Sequence, residues 1–413
     1  MVRADSGDTP DSGGTPGGRW FRGRRAAAVA GALVLVGGVA AAVSLTSGGD
    51  GSADTSAPGE TRIEVSLAGC GKGWDDPHPG AQDFGLRNTA DRTAEVYLVD
   101  SSTGAVYGEV EGLAPGTTRT LRATLGDGSY RFRCLPDDAA AINGPVVHIK
   151  GGHGASGPAA LPVTQHDLIP PTLGYQKWVG GQMSDLVKKV DALRDAVRSG
   201  DLGAARDAWL PAHLQYERLG AAYGTFGDAD GAINGTDAGL PKGVDDPGFT
   251  GFHRIERGLW HGESAAALRP YADQLSKDAK GLRDDWSGQR MDPLDLGLRA
   301  HEILENTVQF ELNGRTDFGS GSNLATARAN LDGTEAVMTR LRPLLKSRMP
   351  HLKDLDTAMD RARSTLDAQR DHGHWTPLDK LSAARRARVN ADLGDLVERL
   401  ADVAAICDTR RTA

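Results

Sequence analysis

The residues best suited to chemistry are imidazoles and carboxylates spaced three or four apart. In GFHRIERGLW, residues 251–260, His253 and Glu256 are three apart. On a helix that spacing makes them neighbours on one face. An imidazole and a carboxylate so placed can share a metal ion, as the reverse Glu-x-x-His spacing does in di-iron bundles. HEILEN, residues 301–306, sets His301 and Glu305 four apart, with Glu302 three before Glu305. It approaches the zinc-protease run H-E-x-x-H, but Glu305 stands where the second His belongs, so the two-histidine zinc grip is missing. PAHLQYE carries His213 and Glu217 at i, i+4, and Asp228 and Asp230 follow in a Gly-rich break. Helices that turn these faces inward create a carboxylate-rich pocket. Hard oxygen donors with an occasional imidazole suit Fe(III), Mn or Ca better than a thiophilic metal. The competing reading of the same residues is helix caps and interhelical salt bridges.

Three cysteines occur, Cys70, Cys134 and Cys407. In an oxidising compartment Cys70 and Cys134 can form a disulfide, leaving Cys407 single. His372 and His374 in DHGHW read as turn residues, and His148 and His153 as residues of a domain edge. Trp178, Trp209, Trp260 and Trp286 fall at helical positions and read as core aromatics.

The elements that must position these groups divide the chain. At 413 residues it exceeds what one core usually holds. Over residues 61–150, TRIEVSLA, TAEVYLVD and GSYRFRCL alternate apolar and polar positions between turn-rich pieces, the pattern of a small β-sandwich. Residues 151–171 read as a linker. From residue 172 apolar residues recur at i, i+3, i+4 and i+7, with helical stretches over 201–223, 263–286, 292–313, 323–345, 351–370 and 377–407. Thr376–Pro377 looks like an N-cap followed by Pro at the first helical position, and Pro211 predicts a kink or interruption. The fold class is multidomain α+β: a β-sandwich followed by an all-α domain of one or two helical bundles.

A formal net charge of -8 excludes a protein built mainly for nucleic acid. Residues 1–25 form a Gly/Ser/Asp-rich region ending in the basic run Arg19, Arg22, Arg24, Arg25. Residues 26–45 are continuously apolar, and 46–60 form a polar linker. That order reads as an export signal or a membrane anchor, with the bulk of the chain outside the cytoplasm.

The run from YQKWVGGQMSDL through LPAHLQYERLG, FGDADGAI, GFHRIERGLW and RAHEILENTVQFEL resembles the imelysin-like domain of EfeO proteins, over about 172–410. The preceding sandwich resembles the cupredoxin-like domain of full-length EfeO members. The resemblance implies an extracytoplasmic metal-binding component of an EfeUOB-like iron-uptake system, which captures iron for a membrane permease alongside a haem peroxidase. It implies an iron site in the helical domain at His253 and Glu256, extended to Glu217, Asp228, Glu302 and Glu305. In the sandwich it implies copper or iron at Cys70, Glu95 and Cys134, with Cu2+ as the second metal. One departure stands out: Phe132 occupies a position where some members carry a further cysteine. The disulfide and the thiolate-ligand readings of Cys70 and Cys134 both stay open. Two alternatives to iron capture are an HxxE metallopeptidase of the imelysin type and a metal-free surface interaction module.

Overall fold

The structure, a computed structural model, describes residues 60–152 and 154–411. The basic N-region, the signal or anchor at 26–45, nearly all of the 46–60 linker and His153 lie outside the described residues. Among the described residues, no helix is long and apolar enough to cross a membrane.

The first part is built of β1 (Thr61–Ser66), β2 (Gly69–Lys72), β3 (Gly80–Asn88), β4 (Ala94–Asp100), β5 (Val106–Leu113), β6 (Thr118–Leu125), β7 (Gly128–Pro136), β8 (Ile142–Asn143) and β9 (Val147–Ile149). One sheet runs β2-β1-β3-β6 and the other β5-β4-β7-β8, with β9 also on β7. All neighbours are antiparallel except β1 and β3, which are parallel. Inward residues of both sheets, among them Ile63, Phe84, Leu86, Val96, Leu98 and Phe132, share one core. Period-2 alternation alone places them there.

Cys70 and Cys134 form a disulfide that joins β2 of one sheet to β7 of the other. This overturns the reading of the pair as thiolate metal ligands, because neither sulfur is free to coordinate. Glu95 is removed from them as well. Val96 pairs with Cys134 and Glu95 with Leu135, so Glu95 lies on the opposite face of its sheet. There it accepts a hydrogen bond from the Tyr97 hydroxyl at 2.7 Å and meets Arg411 at 3.4 Å.

The helical part comprises α1 (Gln165–Ser199), α2 (Leu202–Glu217), α3 (Tyr223–Phe226), α4 (Asp228–Asn234), α5 (Gly251–Trp260), α6 (Ala265–Asp285), α7 (Asp295–Asn306), α8 (Asn323–Leu345), α9 (Leu352–Asp367) and α10 (Ala383–Cys407). The expected linker is shorter than 151–171, because α1 already starts at Gln165. Thr164 and Asp167 form a reciprocal capping box there, and it offsets the hydrogen bonds that Pro170 and Pro171 lack in the early turns. Pro211 does not end α2, which runs on to Glu217. Thr376–Pro377 precedes only a short 3-10 turn, Leu378–Lys380, and α10 begins after Ser382, whose hydroxyl caps Arg385.

Long α1 packs against α2 and α6, while α7 packs against α8 and α10. The α7–α10 approach requires Gly297, where a Cβ would lie 2.2 Å from Cys407 Cβ. Beyond α10, Arg410 pairs with Glu109 at 2.6 Å and Arg411 with Asp137 at 3.2 Å, tying the C-terminal segment to the β layer.

The disulfide closes a separation of 64 residues, so its loss should destabilise the β layer by about 2–5 kcal/mol. Denaturant titration with and without reductant measures this. Thiol counting should find one reactive group, Cys407, and only after unfolding, since burial holds that thiol up at about 11. Three reactive thiols in the unreduced protein would refute the pairing.

Candidate metal centre

Two helices carry the heart of the site. α2 ends in an i, i+4 pair whose side chains turn inward, with His213 2% and Glu217 6% exposed. α5 can start beside α4 only because its first residue is glycine. Gly251 has φ +73°, and a Cβ there would meet the Ile233 carbonyl oxygen at 2.2 Å. That entry buries His253 (3% exposed) and Glu256 (1%). The Trp209 indole nitrogen donates to the Phe252 carbonyl at 2.9 Å, fastening α2 to α5. The His213 and His253 rings then meet edge to face, centroids 5.2 Å apart.

Each buried carboxylate is surrounded by donors. Glu217 Oε1 lies 3.0 Å from His213 Nε2 and accepts from Asn234 Nδ2 at 2.7 Å. The Asn330 amide, oriented by its neighbours, donates to Glu217 Oε2 at 2.9 Å. Burial opposes the ionised pair, but mutual attraction prevails: Glu217 is held below and His213 above the ordinary range. His213 Nδ1 stays buried with no partner among the described residues.

Glu256 Oε1 accepts from the Phe318 and Ser320 backbone N–H groups, each at 3.1 Å, and from the Ser320 hydroxyl at 2.6 Å. Its Oε2 lies 3.3 Å from His253 Nδ1. Burial pushes this carboxyl up, but the hydrogen bonds and charge of His253, with Ser320, outweigh it and hold it low.

A third buried carboxylate, Glu311, accepts from the Thr316 hydroxyl at 2.5 Å and from Asn323 Nδ2 at 3.0 Å. Burial, reinforced by the Glu217 charge, raises it. Glu217, His253 and Glu311 border an open cavity of about 500 Å³, which Asn234, Glu302, Thr307 and Asn330 also line.

The structure thus brings together His253, Glu217 and Glu302 at one cavity. Glu256 is adjacent but lies behind His253 and does not line it. Glu302 is already engaged by Arg299 at 2.6 Å. Glu305 faces His301 at 3.8 Å and Gln309 at 3.1 Å, and neither His301 nor Glu305 lines the cavity. Asp228 is exposed at the start of α4. Asp230, two residues on, turns inward and accepts from the Tyr216 hydroxyl at 2.6 Å.

Glu311 was missed by spacing. It is nine residues from Glu302, about 2.5 turns of a regular α-helix, which would put the two on opposite faces. The chain from Thr307 to Glu311 is instead a π-helical turn, and its wider winding brings both to the cavity. Among the described residues, no three His, Cys, Asp or Glu side chains converge closely enough to enclose a metal ion. The donors of the cavity lie along its wall.

Fold and site together define a helical domain that opens a histidine- and carboxylate-bearing cavity beside a β layer. Residues 172–404 match the family model of imelysin, and the chain belongs to the imelysin family. An iron uptake system component EfeO of Yersinia pestis is 28% identical over 302 residues, covering 73% of this chain and 79% of that protein. An EfeO of Escherichia coli O157:H7 is 26% identical over 332 residues, covering 79% and 86%. Among solved structures, a protein designated an iron-regulated protein A precursor from Parabacteroides distasonis superposes loosely, with a TM-score of 0.44 and 14% identity over 63% of this chain and 98% of its own.

Asp230 yields a pH prediction. Burial first, then the Glu217 charge, lifts it from 3.8 to about 6, despite the Tyr216 hydrogen bond. A raised carboxyl favours the protonated fold, so this stability is present at low pH and is lost as pH rises through 6. Asp230→Asn keeps an acceptor for Tyr216 and removes the charge. It should be more stable than the parent by about 3 kcal/mol at pH 8, with the gap closing near pH 4. Denaturation at the two pH values measures it.

Proposed function

We propose that this chain is an extracytoplasmic iron-binding component of an EfeUOB-like uptake system, in which the cavity between α2, α5 and α7 captures iron for a membrane permease. The observation that carries the reading is the buried set Glu217, His253 and Glu311 on the wall of one open cavity, with buried Glu256 hydrogen-bonded behind His253. Ionisable groups out of water are retained where they bind something or are fully paired. The EfeO relatives, spanning most of the chain, support iron as the cargo. On this reading residues 26–45 export or anchor the chain, and a haem peroxidase accompanies the permease. The β layer over 61–150 is cupredoxin-like in architecture, with its cysteines structural, and serves the helical domain over 172–410 as a docking partner.

His253 is the central ligand, and Glu217 and Glu311 are its neighbours on the wall. Glu256 acts through His253. By accepting a hydrogen bond from Nδ1–H it leaves Nε2 with the lone pair that coordinates a metal. Capture is then ligand exchange on the iron, and it weakens in acid as protons compete with iron for the carboxylates.

Iron titration of the purified full-length protein, read by calorimetry and bound-metal analysis, tests this. The parent should bind about one equivalent at the helical site, and His253→Ala should abolish it. Glu256→Gln should lower affinity tenfold to a hundredfold while the fold persists. A parent that binds no iron, or a His253→Ala variant that binds as the parent does, would sink the reading.

A further inference from the structure

The cavity is too large, and its donors too one-sided, for an ion that arrives alone. An ion with a first shell of about six waters needs on the order of 200 Å³, at ~30 Å³ per water. The cavity holds about 500 Å³, in the range typical of small-molecule sites. Iron takes about six donors in an octahedral arrangement. The wall presents His253, Glu217 and Glu311, and both carboxylates already accept hydrogen bonds from His213, Asn234, Thr316 and Asn323. Among the described residues no enclosing set of three exists. Most of the coordination sphere must therefore come from something else within the cavity.

The lining also contains cations, which a site for a bare cation would exclude. Arg299 is committed to Glu302 and, at 3.6 Å, to Asp295. Arg315 is different: it lines the cavity, is exposed, and its guanidinium has no ion pair or hydrogen bond among the described residues. A guanidinium is suited to a carboxylate, which it can grip with two parallel N–H donors. Asp237 is a further carboxylate on the same lining, so the cavity offers opposite charges rather than a uniform acidic field.

Resting on the iron-capture reading, we infer that the cavity takes its metal as a small polycarboxylate chelate. His253 with Glu217 or Glu311 fills the positions the chelator leaves open, and Arg315 binds a chelator carboxylate not engaged by the metal. The step is ligand substitution: water or one chelator oxygen leaves the iron as a protein donor enters, with no change of oxidation state.

The test is equilibrium dialysis of the full-length protein against doubly labelled ferric citrate, with iron and citrate carrying separate radiolabels. Both labels should be retained in a fixed ratio. Arg315→Glu should lower retention of the citrate complex at least tenfold, and should raise affinity for chelator-free Fe(II) under anaerobic conditions. A merely structural role would weaken both. Retention of iron without citrate overturns the chelate proposal and leaves iron capture standing. Equal loss of both ligands in Arg315→Glu overturns the role of Arg315. If neither ferric citrate nor chelator-free Fe(II) is retained by the parent, the iron reading falls and this inference with it.

Discussion

An ionised carboxylate inside a helical bundle loses several kcal/mol of hydration unless protein donors replace the water. Glu217, Glu256 and Glu311 are all at most 8% exposed, and much of the local architecture supplies their donors. Glu256 draws two backbone N–H groups and a hydroxyl from the segment before α8. Glu217 draws amides from the end of α4 and the middle of α8. Glu311 draws Thr316 and the first residue of α8. Elements distant in sequence are thus held in place because a charge between them would otherwise be left dry.

The same constraint separates two roles that one motif joined. His253 and Glu256 were expected as neighbouring ligands, yet every oxygen of Glu256 is occupied and none of it borders the cavity. A carboxylate so saturated contributes by fixing a ring and its tautomer. The Phe318 ring, 5.2 Å from the His253 ring, holds the imidazole from another side. Orientation therefore depends on the segment before α8 as much as on α5.

How much of this was legible varied with how local the determinant is. The limits of α8 were read to the residue, because its apolar period is unbroken. Inward-facing His213, Glu217, His253 and Glu256 follow from i, i+3 and i, i+4 spacing, which reports the shared face of a regular helix. Glu311 was invisible because one π turn breaks that arithmetic. Asp228 was the expected ligand, but the winding of short α4 leaves it exposed and turns Asp230 inward instead. Glu95 illustrates a period-2 error: being matched to a motif with Cys134 said nothing of its face, and pairing with Leu135 turned it away. The start of α1 was hidden by Pro170 and Pro171, whose helix-breaking tendency the Thr164–Asp167 box overrides.

The β layer and the helical domain are joined with a different economy of forces. Their described ion pairs, Arg410 with Glu109 and Arg411 with Glu95 and Asp137, are partly exposed, and such pairs contribute about 0–1 kcal/mol each. Alone they would hold the two parts weakly. They act, however, at the end of α10, whose last turn is seated against Gly297 of α7, and α7 also supplies Arg299 and Glu302 to the cavity. The C-terminal segment therefore touches the β layer just beyond a helix that packs on α7, the element that also lines the cavity.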